Sequence, residues 1–400
     1  MSNYKKKFIP YGKHYVDQDD IDAVVDCLQS GVLTQGNYIN KFEKTVAEYV
    51  GVKYAVAVSS CTAGLHLACL AAGVNKKNAV LTSAISFVAS ASAASMANAN
   101  VNFVDIETET INMCSKSLEM IIKKTPNVKA VIPVHFAGLP CDTELISSIA
   151  EKHNAVVIED GAHALGSEYA DGSKVGSCSN SLMTVFSFHP VKMIAAGEGG
   201  MITTNDFKVY RKLLRLRSHG ITKFDDVFFN KKESKTNSLP NNWYYEMQEL
   251  GFHYRITDIQ SSLGSSQLKK IRKFLLKRQK LADKYYDVLS EFPFCRPAQN
   301  CINFSKSAHH IFPVRINFKE AKISRAQLMK NLLDLGIGTQ VHYIPIPMQP
   351  YFSNQGHKIT DYPNAMKYYQ EALTIPLYYS LSEKEQSYVL SNLKEQLTCN

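Results

Sequence analysis

The sequence has few features of a protein held together by disulfides or structural metals. Its nine cysteines are an odd number, and no two of them have CxxC spacing. This argues against a disulfide framework and against a structural zinc site. The amino-terminal residues 1–10 are polar and basic and do not contain the apolar core of a secretion signal. We therefore expect a cytoplasmic protein without a metal site.

A membrane-spanning run is also missing. Residues 78–104 form a stretch of 27 residues without a charge, but ten of them are Ser, Thr or Asn. A helix carrying so many polar groups is implausible in hydrocarbon. The stretch is typical of a strand, a helix and a strand in an α/β core, so we expect no membrane association.

The charge balance does not favour a nucleic-acid partner. Lys and Arg number 45 against 36 Asp and Glu, which gives a formal net charge of +9. These basic residues are spread along the chain, with the densest runs at 5–7 and 269–280. An excess of this size suits an anionic small molecule equally well. With 45% hydrophobic and 20% charged residues, the composition is that of a globular protein.

Short apolar runs alternate with helix-length segments in the first half of the chain. The β-rich runs are residues 54–58, 79–81, 101–104, 130–134, 155–158, 184–186 and 201–203. They are apolar on both faces, which predicts an α/β fold with a mainly parallel sheet covered by helices on both sides. Ligands of such sheets bind at the carboxyl ends of the strands.

The second half differs in composition and predicts further parts. Residues 224–242 are polar and aromatic without periodicity, which predicts a long excursion or flap. Helical patterns follow at 258–289, 325–335 and 383–397, and strands are expected within 302–318. We predict an N-terminal segment 1–20, a large domain 21–269 and a smaller C-terminal α+β domain 270–400.

Two polar residues at predicted strand ends indicate a cofactor. Asp160 ends a buried strand, where an ionised carboxylate is costly unless it meets a cation. Lys192 follows another strand among apolar neighbours, which lowers the pKa of an amine and favours a Schiff base. Either residue alone has an ordinary explanation, a surface lysine or a capping aspartate. Together they supply what pyridoxal phosphate needs, an acid for the pyridine nitrogen and an amine for the aldehyde.

Two further features fit this cofactor. The strand at 54–58 leads through Ser59 and Ser60 into a helix, and such a helix start is either a phosphate site or a simple cap. Phe87 follows the strand at 79–81, where an aromatic ring can stack on the cofactor or belong to the core. By contrast, the pair His309 and His310 has no third ligand at metal spacing and is interpreted as structural.

Several motifs together carry a family resemblance. They are LTQG (33–36), SSCTAGLHLA (59–68), ISFVAS (85–90), EDGAHALGSEY (159–169), SFHPVK (187–192), GEGG (197–200), LGFHYRITDIQSSLGSSQLKK (250–270) and VHYIP (341–345). Over essentially its whole length the chain resembles the DegT/DnrJ/EryC1/StrS family of nucleotide-sugar aminotransferases. The phrases IPYGKHYVDQDDI, WYYEMQELGF and VHYIPIPMQPYF are most similar to members that aminate C4 of a UDP-linked 4-keto-6-deoxy-N-acetylhexosamine in pseudaminic acid biosynthesis.

The resemblance implies a fold, an assembly and a reaction. The fold is type I, aspartate aminotransferase-like, with a mainly parallel seven-stranded sheet in the large domain and with segment 1–20 lining the active site. The assembly is a homodimer in which each active site is completed by the partner subunit. The reaction moves an amino group, with glutamate as the donor, to UDP-2-acetamido-2,6-dideoxy-β-L-arabino-hex-4-ulose, using pyridoxal phosphate bound covalently to Lys192.

The resemblance also implies roles for single residues. Lys192 matches the Schiff-base lysine, Asp160 the pyridine-nitrogen partner and His163 the side chain beside the cofactor O3. The matches for phosphate binding are Thr62, Ala63 and Ser187, and the match for ring stacking is Phe87. Residues matching the sugar-nucleotide site are Tyr11, Gly31, Val32, Leu33, Thr34, Cys61, Val341, His342, Tyr343 and Ile344.

Three positions depart from the family pattern. His253 stands where the family usually has an Asn that reaches across the dimer to the cofactor phosphate, and a histidine can still donate one hydrogen bond. Ala195 and Ala196 replace a common Thr-Thr pair near the lysine, and Ala84 replaces a Pro before the stacking aromatic. These changes are compatible with an altered sugar preference or with drift.

Three alternative functions follow from the same motifs. A dehydratase branch of the family has His in place of the lysine, and Lys192 argues against it. A different keto-sugar, aminated at C3 or C4 in a UDP or dTDP series, is poorly separated by the sequence. A non-catalytic sugar-nucleotide binding protein has no need of both Lys192 and Asp160.

Overall fold

A seven-stranded sheet lies at the centre of the first half of the chain in the computed structural model, which describes residues 8–223, 228–300 and 306–398. Its strands are β1 Tyr54–Val58, β2 Ala79–Ser83, β3 Asn100–Val104, β4 Val128–Ile132, β5 Val156–Asp160, β6 Met183–Ser187 and β7 Gly200–Thr204. They are arranged in the order β1-β7-β6-β5-β4-β2-β3. Only β7 runs against its neighbours β1 and β6. This confirms the mainly parallel seven-stranded sheet.

One strand lies two residues earlier than expected. The run at 130–134 predicted a strand there, but β4 ends at Ile132. Pro133 has no amide hydrogen to donate, so the ladder cannot continue through it. Val134 then makes only an isolated bridge with Asp160, the last residue of β5. The end of β5 therefore lies beside the bend that follows β4.

Helices cover this sheet. They are α1 Gln18–Gln29, α2 Asn37–Val50, α3 Cys61–Ala71, α4 Ala89–Met96, α5 Ser115–Lys124, α6 Thr143–Glu151 and α7 Phe207–Arg217. Helix α3 is buried over most of its length and packs on β6, β7 and α4. A helix that is apolar nearly all round belongs inside the protein, so its first turn is fixed relative to the strand ends.

The described residues of the second half form more helices and three small sheets. The helices are α8 Asp258–Lys269, α9 Ile271–Leu289, α10 Arg325–Asp334, α11 Pro350–Ser353, α12 Pro363–Glu371 and α13 Glu383–Thr398, with 3-10 turns at Phe136–Gly138, Ile346–Met348 and Ile359–Asp361. The short strands are β8 Ile221–Thr222, β9 Lys235–Thr236, β10 Leu239–Pro240 and β11 Glu246–Met247, and the longer ones are β12 Cys295–Pro297, β13 Phe312–Ile316 and β14 Ala372–Ile375. Strands β12, β13 and β14 form an antiparallel sheet in that order.

The predictions for this half are met in part. The helix expected over 258–289 is two helices that meet at Lys270. Of the region 302–318, where strands were expected, residues 302–305 lie outside the described residues, and the remainder contains β13. In the predicted excursion, residues 224–227 also lie outside the description, and β9 and β10 form an exposed hairpin.

The buried apolar side chains of the described residues form four cores. The first core lies between the seven-stranded sheet and its helices, and two smaller cores also pack on that sheet. The fourth is formed by β13, β14, α9, α10 and α13. Phe352 and Tyr368 belong to the first core although they lie late in the chain. The division into 1–20, 21–269 and 270–400 stays a prediction. Among the described residues, no helix combines the length and apolar character that crossing a bilayer requires.

Candidate active site

A cavity of about 800 Å³ opens at the carboxyl ends of β5 and β6. It is bordered by the start of α3, by the loop after β6 and by the segment 340–344. Residues that the sequence predicted for the site and that line this cavity are Tyr11, Cys61, Thr62, Phe87, Asp160, His163, Ser187, Lys192, Val341, His342, Tyr343 and Ile344. The parallel sheet thus brings distant parts of the chain to one place, as its strand directions require.

The first turn of α3 forms one end of the cavity. Ser60 caps the helix, since its Oγ accepts a hydrogen bond of 3.1 Å from the Ala63 amide. The cap therefore accounts for Ser60, whereas Ser59 and Thr62 border the cavity beside the helix end. Backbone N–H groups and the helix dipole make such an end attractive to an anion. Both sequence interpretations of this helix start, cap and phosphate site, are compatible with the geometry.

Gly200 lets the sheet approach this helix start closely. A Cβ atom built on Gly200 would lie 2.7 Å from the carbonyl carbon and oxygen of Ser60 and 2.8 Å from the Cys61 nitrogen. Those atoms are backbone and cannot move aside as a flexible side chain can. The last glycine of GEGG is therefore required by the contact between β7 and the turn that leads into α3.

Asp160 lies at the end of β5 with its carboxylate held from two sides. Its Oδ2 accepts a hydrogen bond of 2.6 Å from Ser90 Oγ, and its Oδ1 accepts one of 3.1 Å from the Ala162 amide. The residue is only 4% exposed, yet it lines the cavity. A buried carboxylate held in this way can receive a cationic N–H from the cavity side.

The preceding residue, Glu159, points to the other face of the sheet. It accepts hydrogen bonds from His135 Nε2 at 2.6 Å and from Thr184 Oγ1 at 3.0 Å, and further ones from the hydroxyls of Tyr169 and Ser181. The Cys141 amide donates to His135 Nδ1, so the proton of this imidazole is on Nε2, where it reaches Glu159. Strand β5 is thus anchored on both faces at its carboxyl end.

Lys192 lies on the loop after β6 and faces the cavity. Its amide donates to the His189 carbonyl at 2.8 Å, which closes a tight turn. Burial lowers the pKa of Lys192 from 10.5 to about 8, and the nearby charge of Asp160 opposes this shift. An amine with this pKa is unprotonated in a useful fraction near neutral pH and can act as a nucleophile or a base.

Three histidines around Lys192 are neutral. Burial lowers the pKa of His163, His310 and His342, and the Lys192 cation adds to the effect in each case. His163 Nδ1 accepts from the Ala137 amide at 3.3 Å, so its proton is on Nε2 and is donated to Tyr343 Oη at 3.1 Å. Tyr343, which lines the cavity, accepts in this contact and keeps the hydrogen of its own hydroxyl to donate.

Sequence reasoning missed part of the lining. The additional residues are Ser86, Val88, Ala89, Val134, Ala162, His189, Val191, Glu198, His310, Gln340 and Gln349. Among these, His310 was noticed but interpreted as structural, and its ring lies 4.5 Å from that of His163. Its place in the site depends on the path of the chain around the sheet, which no local pattern reveals. In the described ranges, no group of three or more His, Cys, Asp or Glu residues is arranged to hold a metal.

Some predicted residues lie elsewhere. Ala63 is buried within α3, and its amide is already used by the Ser60 cap. The stretch 31–34 is exposed and does not line the cavity described above, and His253 is exposed beside Ser218. The cofactor and substrate roles of 31–34 and of His253 therefore stay predictions.

The chain belongs to the DegT/DnrJ/EryC1/StrS aminotransferase family, whose model matches residues 14–394. Proteins of this family are pyridoxal-phosphate-dependent sugar aminotransferases, and the chain is an enzyme of this class. The type I fold implied by the sequence is confirmed by solved structures of such aminotransferases.

Two curated relatives and two solved structures illustrate the similarity. The spore coat polysaccharide biosynthesis protein SpsC of Bacillus subtilis is 35% identical over 99% of this chain and 98% of its own. The UDP-4-amino-4,6-dideoxy-N-acetyl-beta-L-altrosamine transaminase of Campylobacter jejuni (strain 81-176) is 36% identical over 96% of both chains. Helicobacter pylori PseC, an aminotransferase of pseudaminic acid biosynthesis, is 29% identical with a TM-score of 0.87, covering 98% of this chain and 100% of that one. The PLP form of the putative sugar aminotransferase Spr1654 from Streptococcus pneumoniae is 28% identical with a TM-score of 0.86, covering 98% of both chains.

The residues of the cavity fit pyridoxal phosphate. An amine of lowered pKa, Lys192, and a carboxylate with two fixed donors, Asp160, border the same space. The α3 N-terminus offers a phosphate site, and Phe87, which is 58% exposed, provides an aromatic face. This set of groups matches the aldehyde, ring nitrogen, phosphate and ring of the cofactor.

Proposed function

We propose that this enzyme transfers an amino group from glutamate to C4 of UDP-2-acetamido-2,6-dideoxy-β-L-arabino-hex-4-ulose, a step of pseudaminic acid biosynthesis. The observation that carries the reaction is that Lys192 and Asp160 border one cavity, at the ends of neighbouring strands and next to a helix N-terminus. Support for the sugar comes from the 36% identity to the Campylobacter transaminase over 96% of this chain.

Lys192 and Asp160 have distinct tasks in this proposal. Bound pyridoxal phosphate supplies an aldehyde that takes up the amino group and a ring that accepts electrons from the reacting carbon. Lys192 Nζ holds the cofactor covalently at rest and, once released, carries a proton to and from the reacting carbons in both half-reactions. The Asp160 carboxylate accepts the N–H of the ring and keeps that ring cationic. Glutamate leaves as its 2-oxo acid, and the sugar ketone becomes an amine.

The remaining lining residues bind and orient. Phe87 stacks on the ring, and the α3 N-terminus with Thr62 and Ser187 holds the phosphate. Tyr343, whose hydroxyl oxygen already accepts from His163, donates its own hydrogen to an oxygen of a ligand in the cavity. Tyr11 and residues 341–344 face the remaining space, where the sugar nucleotide would lie.

We further propose a cytoplasmic homodimer with shared active sites. The segment 229–250 exposes large apolar side chains, among them Phe229 at 81%, Trp243 at 74% and Leu250 at 73%. Exposed side chains of this size are typical of a surface that another protein covers. The nearby His253 and the exposed stretch 31–34 would then complete the site of the partner. The seven cysteines within the described ranges are free thiols, as a reducing compartment keeps them.

A second candidate is amination of a different nucleotide-linked keto-sugar. It is favoured by the 35% identity to SpsC over 99% of this chain, since that protein is named for spore coat polysaccharide biosynthesis. The same Lys192 chemistry serves any keto-sugar that fits, so the two candidates differ only in the substrate.

A substrate panel tests both candidates. The enzyme loaded with pyridoxal phosphate is given glutamate, then UDP-linked 4-keto-6-deoxy-N-acetylhexosamine epimers and dTDP-linked 3-keto and 4-keto sugars, while cofactor absorbance and products are followed. We expect glutamate to convert the cofactor to its amino form and only the β-L-arabino 4-keto sugar to restore it. Restoration by another keto-sugar supports the second candidate. A protein that binds no pyridoxal phosphate contradicts both.

A further inference from the structure

Two buried serine hydroxyls connect the cavity wall to Asp160. Ser90, in the first turn of α4, has its Oγ 2.6 Å from Asp160 Oδ2, and Ser86 Oγ lies 2.7 Å from Ser90 Oγ. The two serines are 0% and 2% exposed, and Ser86 lines the cavity. In the motif ISFVAS only Phe87 was predicted to belong to the site, so both serines are new to it.

The chemistry of the three groups fixes the direction of their hydrogen bonds. An ionised carboxylate only accepts, so Ser90 donates its hydrogen to Asp160. The other acceptor near Ser90 Oγ, the Phe87 carbonyl, is 3.4 Å away, and the shorter contact to a charged oxygen is the stronger one. With its hydrogen given to Asp160, Ser90 must accept the hydrogen of Ser86. Ser86 therefore donates its hydrogen to Ser90, and Ser90 donates its own to Asp160.

We propose that Ser90 and Ser86 are positioning residues that hold the Asp160 carboxylate turned toward the ring nitrogen of the cofactor. This proposal rests on the proposed function, because it takes pyridoxal phosphate as the ligand of the cavity. Ser90 fixes Oδ2 and the Ala162 amide fixes Oδ1, so one donor on α4 and one in the turn after β5 determine the plane of the carboxylate. Ser86 orients Ser90 by occupying its oxygen lone pair.

The charged carboxylate influences the cofactor through the ring. A carboxylate held ionised keeps the ring nitrogen protonated, and a cationic ring draws electrons from the carbon being deprotonated. The cationic ring also makes the nitrogen that joins Lys192 to the cofactor less basic. Loss of the Ser90 hydrogen bond should therefore raise the pH at which that nitrogen loses its proton.

The test is a pH titration of the visible absorbance of the cofactor-loaded enzyme, together with the equilibrium affinity for pyridoxal phosphate. The variants are Ser90→Ala, Ser90→Thr and Ser86→Ala, with Ser92→Ala on the same helix as the matched control. We expect Ser90→Ala to raise the titration midpoint by roughly half to one pH unit. Its kcat should fall by roughly 10- to 100-fold, the value of a hydrogen bond to a charged group. Ser86→Ala should shift the midpoint in the same direction by less.

Each outcome decides the proposal. Recovery of the wild-type midpoint in Ser90→Thr, with Ser92→Ala unchanged, supports a positioning role for the hydroxyl. An unchanged midpoint in Ser90→Ala, or an equal shift in Ser92→Ala, overturns it. If Ser90→Ala does not fold, Ser86→Ala decides alone, because Ser86 does not touch Asp160 and an unmoved midpoint there contradicts the chain of donors. A wild-type protein that never binds pyridoxal phosphate refutes the proposed function instead.

Discussion

The residues predicted for the active site form two groups with different surroundings. Lys192 and Asp160 border one cavity, and the Asp160 carboxylate is held there by hydrogen bonds within the same chain. The stretch 31–34 and His253 are exposed and lie outside that cavity. Lys192 and Asp160 therefore meet within a single chain. The stretch 31–34 and His253 would reach an active site only if a second copy of the chain binds. Experiments that separate the groups test both the chemistry and the proposed assembly.

The largest effect is expected in the buried group. Replacing Lys192 by Ala removes the amine that holds the cofactor and carries the proton, so kcat should fall by about 10³-fold or more. The covalent absorbance of the cofactor should disappear as well. The matched control is Lys208→Ala, an exposed lysine outside the cavity. Full activity in Lys192→Ala would refute the assignment of this residue.

The exposed group is tested by complementation. His253→Ala should bind pyridoxal phosphate roughly 10- to 100-fold more weakly, if this histidine donates one hydrogen bond to the phosphate of the partner's cofactor. Mixing it with Lys192→Ala at limiting cofactor should restore roughly a quarter of the wild-type activity, since each mixed dimer has one intact site.

The control for complementation is the double variant Lys192→Ala/His253→Ala, which should restore nothing when mixed with His253→Ala. An active enzyme that stays monomeric by sedimentation would contradict the proposed role of 31–34 and His253, because these residues would then have no partner subunit to act on. Unchanged cofactor affinity in His253→Ala would remove this residue from the site.

A smaller effect is expected where β7 meets the turn that leads into α3. Gly200→Ala places a Cβ atom 2.7 Å from the Ser60 backbone, so the turn into α3 must shift. We expect a loss of about 1 to 3 kcal/mol in the free energy of unfolding and weaker cofactor binding. Gly172→Ala is the control for a glycine substitution without a steric contact, because no atom lies within 4 Å of its Cβ position, although its φ of +84° adds strain. Equal cofactor affinity in both variants would contradict the role given to Gly200.

An effect of comparable size is expected from pH in the cofactor-free protein. Since the pKa of Lys192 is lowered from 10.5 to about 8 in the folded state, its buried charge destabilises the fold fully below pH 8. Between these values the folded state has lost a proton that the unfolded chain keeps, so the free energy of unfolding rises with pH. Compared with Lys192→Met, the wild type should gain up to about 3 kcal/mol, and less where water in the cavity screens the partly exposed amine. Parallel pH profiles from denaturant unfolding would contradict the shift.

The sequence was most informative where a chemical requirement and a strand pattern coincide. Lys192 and Asp160 follow apolar runs, so their place at one edge of a parallel sheet could be inferred, and the seven strands were found. Local patterns did not reveal the antiparallel direction of β7, which depends on pairing between distant strands. They also missed His310, which reaches the cavity through a loop remote from it in sequence.

The two serines illustrate a different limit of sequence reasoning. Residues 78–104 contain many Ser and Asn side chains, which argue against a membrane span but do not show which serine has a partner in the site. Ser90 and Ser95 are indistinguishable in that stretch until the turn before α4 is known. The structure then places Ser90 against a carboxylate in another strand, a contact between residues 70 positions apart.

The opposite orientations of Glu159 and Asp160 have a consequence for how this enzyme tolerates change. A shift of β5 by one residue would turn each acid to the opposite face of the sheet, so that neither carboxylate would meet the donors that it has now. Both acids thus disfavour a shifted register of β5. Only the observed register lets the donors around Glu159 and Asp160 all form their hydrogen bonds. Insertions and deletions within β5 should therefore abolish the site, whereas insertions and deletions in the loops beyond this strand should be tolerated.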